Sequence, residues 1–195
     1  MQSPRHLHLA TVHHIIRYLI GSPTHRLFFP THSTLYLTTY SDVDWAGCLN
    51  TRKSTTGWCI FLGDALISWK CKTQDCVSKS SMEAEYRAMS AARSEIVWLR
   101  GLISELGFPP TDPTPLHGDN TSVIQIVVNP VYHERIKHIE VDCYYIREAF
   151  TRGVITLPHL ITDLQIVDVF AKALTRQRHK FLNSKLMLID LPASI

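Results

Sequence analysis

The chain has 195 residues, 45% of them hydrophobic and 19% charged, with a net charge of +3, which suffices for one ordinary domain with a buried core. Its five cysteines, Cys48, Cys59, Cys71, Cys76 and Cys143, form no C-x-x-C pair. That excludes a small disulfide-framed secreted fold, and they are expected as reduced, mostly buried thiols of an intracellular protein. No apolar run reaches the roughly 18 residues of a membrane span, and the N-terminus lacks a signal-peptide h-region. No membrane partner is expected. A pI near 8.6 is compatible with a polyanionic partner without demanding one.

Residues 6–20, HLHLATVHHIIRYLI, carry Leu9, Val12, Ile16 and Leu19 at helical spacing, and Gly21-Ser22-Pro23 stops them. TLYLTTYSDVDW at 34–45 is rich in β-branched and aromatic residues and predicts a strand. TTGWCIFL and ALISWKC predict two more, joined at Gly63-Asp64 as a hairpin, with Gln74–Ser78 as a possible extension. A long helix is expected over about 81–106, closed by Gly107 and the prolines behind it. A short strand at 115–120, a helix TSVIQIVV, and a helix near 138–151 follow. A strand VITLPHL and a final helix LQIVDVFAKALT complete the order. From about 34 to 175 this reads as one α/β domain with a mixed sheet.

SSMEAEYRAM at 80–89 places two glutamates two apart at the start of the long helix. Positions i and i+2 do not face each other. At about 100° per residue, Glu85 aligns with Met89, Ala92, Ile96, Leu99 and Ile103, whereas Glu83 falls roughly 160° away with Arg87, Ser90 and Ser94. Ser80-Ser81-Met82-Glu83 matches a capping box in which Glu83 returns to the N–H of Ser80, and Arg87 is its i+4 partner. Glu83 is therefore structural. Glu85 points a carboxylate at the core, where an unpaired charge is costly, so it answers either a functional cation or a buried Arg or Lys partner.

Other acids supply a context. Asp42 and Asp44 end a strand on one face, Asp119 follows a short strand, and Asp168 opens the last helix. Each alone reads as a cap or turn residue. Together, acids at strand ends and helix starts of one α/β domain repel one another and call for divalent metal. Two Mg2+ ions about 4 Å apart, held by carboxylates, activate water and stabilise the leaving oxygen in phosphodiester cleavage.

YSDVDWAGCLNTRKSTTGWCIFLG, ISWKCKTQ, SSMEAEYRAMSAARSEIVWLRGLISELG, GDNTSVIQIVVNPVYHERIKHIEVD and VDVFAKAL resemble, in order and spacing, the ribonuclease H domain of copia-type retrotransposon Pol polyproteins. HLATVHHIIRYLIGSPTHRLFF is similar to the stretch joining the reverse transcriptase to that domain. The resemblance implies a ribonuclease H-like fold, with a mixed five-stranded sheet flanked by helices. It divides the chain into 1–33, the end of the reverse transcriptase or connection segment, 34–176, the ribonuclease H-like domain, and 177–195, a C-terminal tail. It implies metal-dependent endonucleolytic hydrolysis of the RNA strand of an RNA–DNA hybrid, with two Mg2+ ions that Mn2+ can replace, and no small-molecule cofactor.

Carried over position by position, the family's four catalytic, metal-holding acids fall on Asp42, Glu85, Asp119 and Asp168. Asp44 is left as a structural neighbour. Ser41 and Asn120 flank the site as substrate-orienting candidates, and Arg52, Lys53, Lys79, Arg135 and Lys137 are candidate phosphate contacts. The implied partners are the hybrid and, in a full-length polyprotein, the reverse transcriptase. The implied setting is cytoplasmic, in a virus-like particle, with the nucleus as a second compartment. No polymerase motif with paired aspartates after a tyrosine is present, so reverse transcription is not expected. The alternative reading is an inactive remnant that binds nucleic acid non-specifically. It draws on departures from the family pattern such as Gly118 and Val167. His133, His138 and Cys143 lack the spacing of a zinc site. His159 is given no role, and Trp45, Trp58, Trp69 and Trp98 are expected in the core.

Overall fold

The computed structural model describes residues 3–129 and 140–190. Its centre is the strand β2 (Leu37–Asp44), flanked by β3 (Thr55–Leu62) and β5 (Thr114–His117). The hairpin from β3 to β4 (Ala65–Thr73) turns at Gly63, whose φ of +57° is the left-handed conformation such a turn requires. With β6 (Ile155–Thr156) the sheet order is β4-β3-β2-β5-β6. The pairs β2–β3 and β3–β4 are antiparallel, while β2–β5 and β5–β6 are parallel. This is the mixed five-stranded sheet expected from the sequence.

The long helix, α2 (Ser81–Glu105), buries the stripe its spacing predicts: Glu85, Met89, Ala92, Ile96, Leu99 and Ile103. With Trp58 and Ile60 from β3, and residues of α3 (Thr121–Val128) and α4 (Glu140–Thr151), it builds the main core. Alternation sends Cys59 and Phe61 to the other face of the sheet. There they meet Ile166, Val167, Leu182 and Leu186 in a second cluster.

That second cluster is where expectation and structure part. The stretch read as one final helix is a 3-10 turn, Thr162–Leu164, followed by a four-residue helix, α5 (Asp168–Ala171). Between them Gln165, fully buried, turns its side chain onto β2: Nε2 donates to the Ser41 carbonyl at 2.9 Å. Beyond 176, where a tail was expected, lie α6 (Arg176–Lys185) and β7 (Leu188–Asp190). Leu182 is completely buried against the sheet, and β7 pairs antiparallel with β1 (His25–Leu27). The N-terminal helix α1 (His6–Gly21) buries none of its residues.

Other differences have local causes. Gln74–Ser78 does not extend the sheet. Gln74 instead folds inward, donating to Thr56 Oγ1 and to the Ala84 carbonyl and accepting from Ser78. The strand expected over VITLPHL shortens to two residues and a single bridge between Gly118 and His159. Only Trp58 is a core tryptophan. Trp45, Trp69 and Trp98 are about half exposed, Trp69 because β4 is an edge strand. Cys59 and Cys143 are buried, but Cys71 and Cys76 are exposed. Among the described residues no helix is long and apolar enough to cross a membrane.

If the last helix belongs to the core, Leu182→Ala should destabilise the protein by roughly 2–4 kcal/mol, as buried leucine truncations do. Urea unfolding checks this. A change within a few tenths of a kcal/mol would mean that α6 is peripheral.

Candidate metal centre

Three elements aim carboxylates at one spot. Asp42 comes from the next-to-last turn of the β2 pleat and is 2% exposed. Glu85 comes from the second turn of α2 and is 3% exposed. Asp119 follows β5, on the strand that runs parallel to β2, so both strand ends open in the same direction. One oxygen from each of the three lies within 4.8 Å of the others.

Asp168, the first residue of α5, reaches the group from the opposite layer. Two features bring it there. Gly57 pairs with Asp42 in the sheet, and a Cβ at Gly57 would stand 2.7 Å from Val167 Cγ1. The missing side chain is what lets the α5 turn lie on β3. Gln165 then ties that turn to β2 at Ser41, next to Asp42. Lys172, four residues after Asp168, closes the contact: its Nζ is 2.7 Å from Asp42 Oδ2 and 2.7 Å from Asp168 Oδ1. Arg178 of α6 approaches the other Asp168 oxygen at 3.4 Å.

Glu83 and Glu85 are both buried, so burial does not separate them. Their partners differ. Glu83 Oε1 receives Arg87 Nη2 at 2.7 Å, and its Oε2 accepts the N–H of Lys79 at 2.7 Å. The capping arrangement is thus shifted by one residue, to Lys79 instead of Ser80, while Ser80 Oγ accepts the N–H of Glu83 at 3.1 Å. Both oxygens of Glu83 are satisfied. Glu85 Oε1 is buried and has no hydrogen-bond partner among the described residues. A buried carboxylate oxygen without a donor, facing two further carboxylates, is chemistry suited to a hard cation with oxygen ligands.

The electrostatics carry the same message. Burial raises the Asp42 pKa to about 7 although Lys172 pulls it down, and Asp119 adds to the rise. Burial also holds Glu85 well above the usual carboxylate range, with Asp42 and then Asp119 reinforcing it. For Lys172, burial opposes the charge, but Asp42 and Asp168 outweigh it and keep its pKa above the ordinary lysine value. Acids that resist ionisation in the absence of a cation release protons when one binds.

The remaining candidates divide. Arg52 is exposed and Lys53 half-buried in the loop joining β2 to β3, at the end of the sheet that carries Asp42. Lys79 is exposed just before α2. Asn120 uses Oδ1 to cap α3, accepting the N–H of Val123 at 3.2 Å. Ser41 has no exposed surface, so it cannot touch a bound substrate in this conformation, and its carbonyl is engaged by Gln165. Asp44 lies against Gly47, where a Cβ would collide with its carboxylate, and stands outside the triad. Arg135, Lys137, His133 and His138 lie outside the described residues. His159 is exposed and bridges to Gly118, beside Asp119. Sequence reasoning missed Gln165, Gly57 and Lys172. A lone glutamine inside the apolar run LQIV was the one visible signal.

A mixed sheet of this order, flanked by helices and ending in clustered acids, is the ribonuclease H-like fold. It is shared with the RNase H1 of the halophilic archaeon Halobacterium salinarum NRC-1, at a TM-score of 0.51 and 19% identity over 70% of this chain and 94% of that one. LC11-RNase H1, solved in complex with an RNA/DNA hybrid, gives a TM-score of 0.53 at 13% identity, over 69% of this chain and 93% of that one. No family model matches the chain. The retrovirus-related Pol polyprotein from transposon RE1 of Arabidopsis thaliana is 38% identical over 194 residues, all of this chain. That from transposon TNT 1-94 of Nicotiana tabacum is 33% identical over 178 residues, 91% of this chain. The chain belongs with the copia-type retrotransposon Pol polyproteins, as a homologue of one segment of them. It spans 13% of the length of each of these two relatives.

The raised acids set a pH dependence for the metal-free protein. Folded Asp42 keeps its proton to about pH 7, whereas the unfolded chain gives it up near pH 4, so between those values the folded state binds more protons. Stability should therefore fall as pH rises from about 4 to 7, by something on the order of 2–4 kcal/mol from this group. Saturating Mg2+ should flatten the slope. Denaturation in EDTA across this range tests it, and stability rising through the window would mean that the Lys172 charge outweighs the burial of Asp42.

Proposed function

We propose that this chain is a metal-dependent endonuclease that hydrolyses the RNA strand of RNA–DNA hybrids, as part of a retrotransposon Pol polyprotein. The observation that carries the reading is the unpartnered, buried Oε1 of Glu85, gathered with Asp42 and Asp119 within 4.8 Å. The ribonuclease H-like fold and the whole-chain homology to Pol polyproteins support it.

Asp42, Glu85 and Asp119 would hold one divalent ion, and Asp42 with Asp168 a second, Mg2+ or in its place Mn2+. When bound, such ions supply an activated water and stabilise the leaving oxygen of a phosphodiester. The chain's own residues do the rest. Asp42 and Asp119, on adjacent parallel strands, fix the spacing of the ligands. Glu85 gives up its proton and turns a repulsive group into a ligand. Arg52, Lys53 and Lys79, exposed or half-exposed near the same end, are placed to meet backbone phosphates, and Arg135 and Lys137 are further candidates of that kind. Asn120, with its oxygen engaged in the cap, would present its amide nitrogen to substrate. Recognition of RNA would rest on its 2′-hydroxyls and on groove shape, not on base sequence. In the full polyprotein the reverse transcriptase is the partner upstream, with residues 1–33 as the joint. The gathering of Asp42, Glu85 and Asp119 supports the active reading over the alternative of an inactive remnant, which the departures at Gly118 and Val167 support.

The test is cleavage of a labelled RNA–DNA hybrid with and without Mg2+, with single-stranded RNA and duplex DNA as controls. Only hybrid RNA should be cut, more slowly as salt rises. Glu85→Gln should lower the rate by several orders of magnitude with stability unchanged or higher, because a repelling buried acid is gone. Glu83→Gln should do the reverse, keeping the rate per folded molecule while losing roughly 1–3 kcal/mol of stability with its charged partners. Cleavage that survives Glu85→Gln and vanishes with Glu83→Gln would sink the assignment, and equal cutting of duplex DNA would point to another nuclease.

A further inference from the structure

The acid cluster has two unlike halves. On one side Asp42, Glu85 and Asp119 face one another, and the buried Oε1 of Glu85 has no donor among the described residues. On the other side Asp42 and Asp168 are bridged by a single ammonium, Lys172 Nζ, at 2.7 Å from each. The second oxygen of Asp168 faces Arg178, itself anchored on the carbonyls of Thr162 and Asp163. One half is open to a cation, and the other already contains one.

Lys172 Nζ sits at salt-bridge distance from both Asp42 Oδ2 and Asp168 Oδ1, and the two aspartates together keep it charged despite its burial. The lysine therefore compensates these oxygens from within the chain, as a single charge shared between two carboxylates. Its side chain is 31% exposed, while those of the two aspartates are 3% and 8% exposed, so it enters from the rim. A lysine ammonium is a point charge on a flexible four-carbon stem. It can leave toward solvent with no movement of the backbone. A divalent ion held by Asp42 and Asp168 would lie close to that ammonium and be repelled by it while the lysine stays in place.

We propose that Lys172 is a built-in competitor for the second divalent ion, so that the site fills in two unequal steps. This rests on the reading that the acids bind divalent metal. The first ion enters at Asp42, Glu85 and Asp119 with Lys172 in place. The second enters between Asp42 and Asp168 only when the lysine side chain swings out. The lysine holds the two aspartates together in the metal-free protein and keeps the centre half-loaded at low metal.

Calorimetric titration of Mn2+ into the metal-free protein, with no nucleic acid present, tests this. The wild type should show two phases, the second weaker. Lys172→Met, close in length but uncharged, should tighten the second phase by at least roughly tenfold, since a nearby unit charge has gone. The first phase should move much less. The metal-free variant should melt below wild type, yet gain more on Mn2+ saturation. Lys172→Arg, which keeps the charge, should retain the separation between phases. Lys172→Gln gives the same reading as Lys172→Met should the latter not fold. A second phase that weakens in the uncharged variants would mean that the lysine positions the aspartates for the ion, and the proposal fails. Two phases unmoved by loss of the charge overturn it as well. Absence of Mn2+ binding in wild type and variants alike would instead overturn the metal reading itself, and this proposal with it.

Discussion

Four carboxylates held at one end of a sheet, most of them out of water, is the constraint around which the rest of this molecule is arranged. Carboxylates out of water resist ionisation, and like charges nearby add to that resistance; burial first, and Asp119 after it, pushes Asp42 up to about 7 even with Lys172 beside it. Hydrophobic burial elsewhere must carry this local strain, and two layers of packing do so. One layer, built on α2, brings Glu85. The other, built on α5 and α6, brings Asp168 together with the two cations, Lys172 and Arg178, that offset it. Asp42, Glu85 and Asp119 thus come from the first two-thirds of the chain, while the compensating bases arrive together with Asp168 from the last third, across the sheet.

This explains why small features of the second layer matter. Gly57 stands opposite Asp42, and its hydrogen side chain sets how closely the Val167 turn can approach. Gln165 satisfies a β2 carbonyl that would otherwise be buried under that turn, and fixes its height above the sheet. Buried polar groups of this kind are stabilising only when paired. Here the pairing also determines whether Asp168 reaches Asp42. On the first layer Gln74 plays a comparable part, binding Thr56 on β3 and Ala84 beside Glu85.

Much of this was legible in the sequence, for reasons that can be traced. The β3–β4 hairpin, α2 and α3 each carry a strong local signal: alternation with a glycine turn, a long apolar stripe with a cap, a capped apolar octamer. Glu85 was legible because a charge interrupting an apolar stripe is a local anomaly. The last third was not. LQIVDVFAKALT has helical periodicity, but tertiary hydrogen bonds from Gln165 break it into a turn and four helical residues. RQRHKFLNSK looks like a solvated tail, since it buries one leucine through contacts no local window contains. The Lys172 bridge spans 130 residues between Asp42 and Asp168-side chain neighbours, and pairings at that separation leave no periodic trace.

The contrast between Glu83 and Glu85 shows how a site can be told from a scaffold when both are buried acids. Burial does not distinguish them, and neither does position on the first turns of one helix. Satisfaction does. Glu83 has a guanidinium on one oxygen and a backbone N–H on the other, so its charge is a solved problem and removing it can only loosen the helix start. Glu85 has an oxygen with no donor among the described residues, next to acids that raise its pKa further beyond the effect of burial. Lys172 offsets half of the cluster from within, and the half it leaves open, between Glu85, Asp42 and Asp119, is the half that could hold a metal ion.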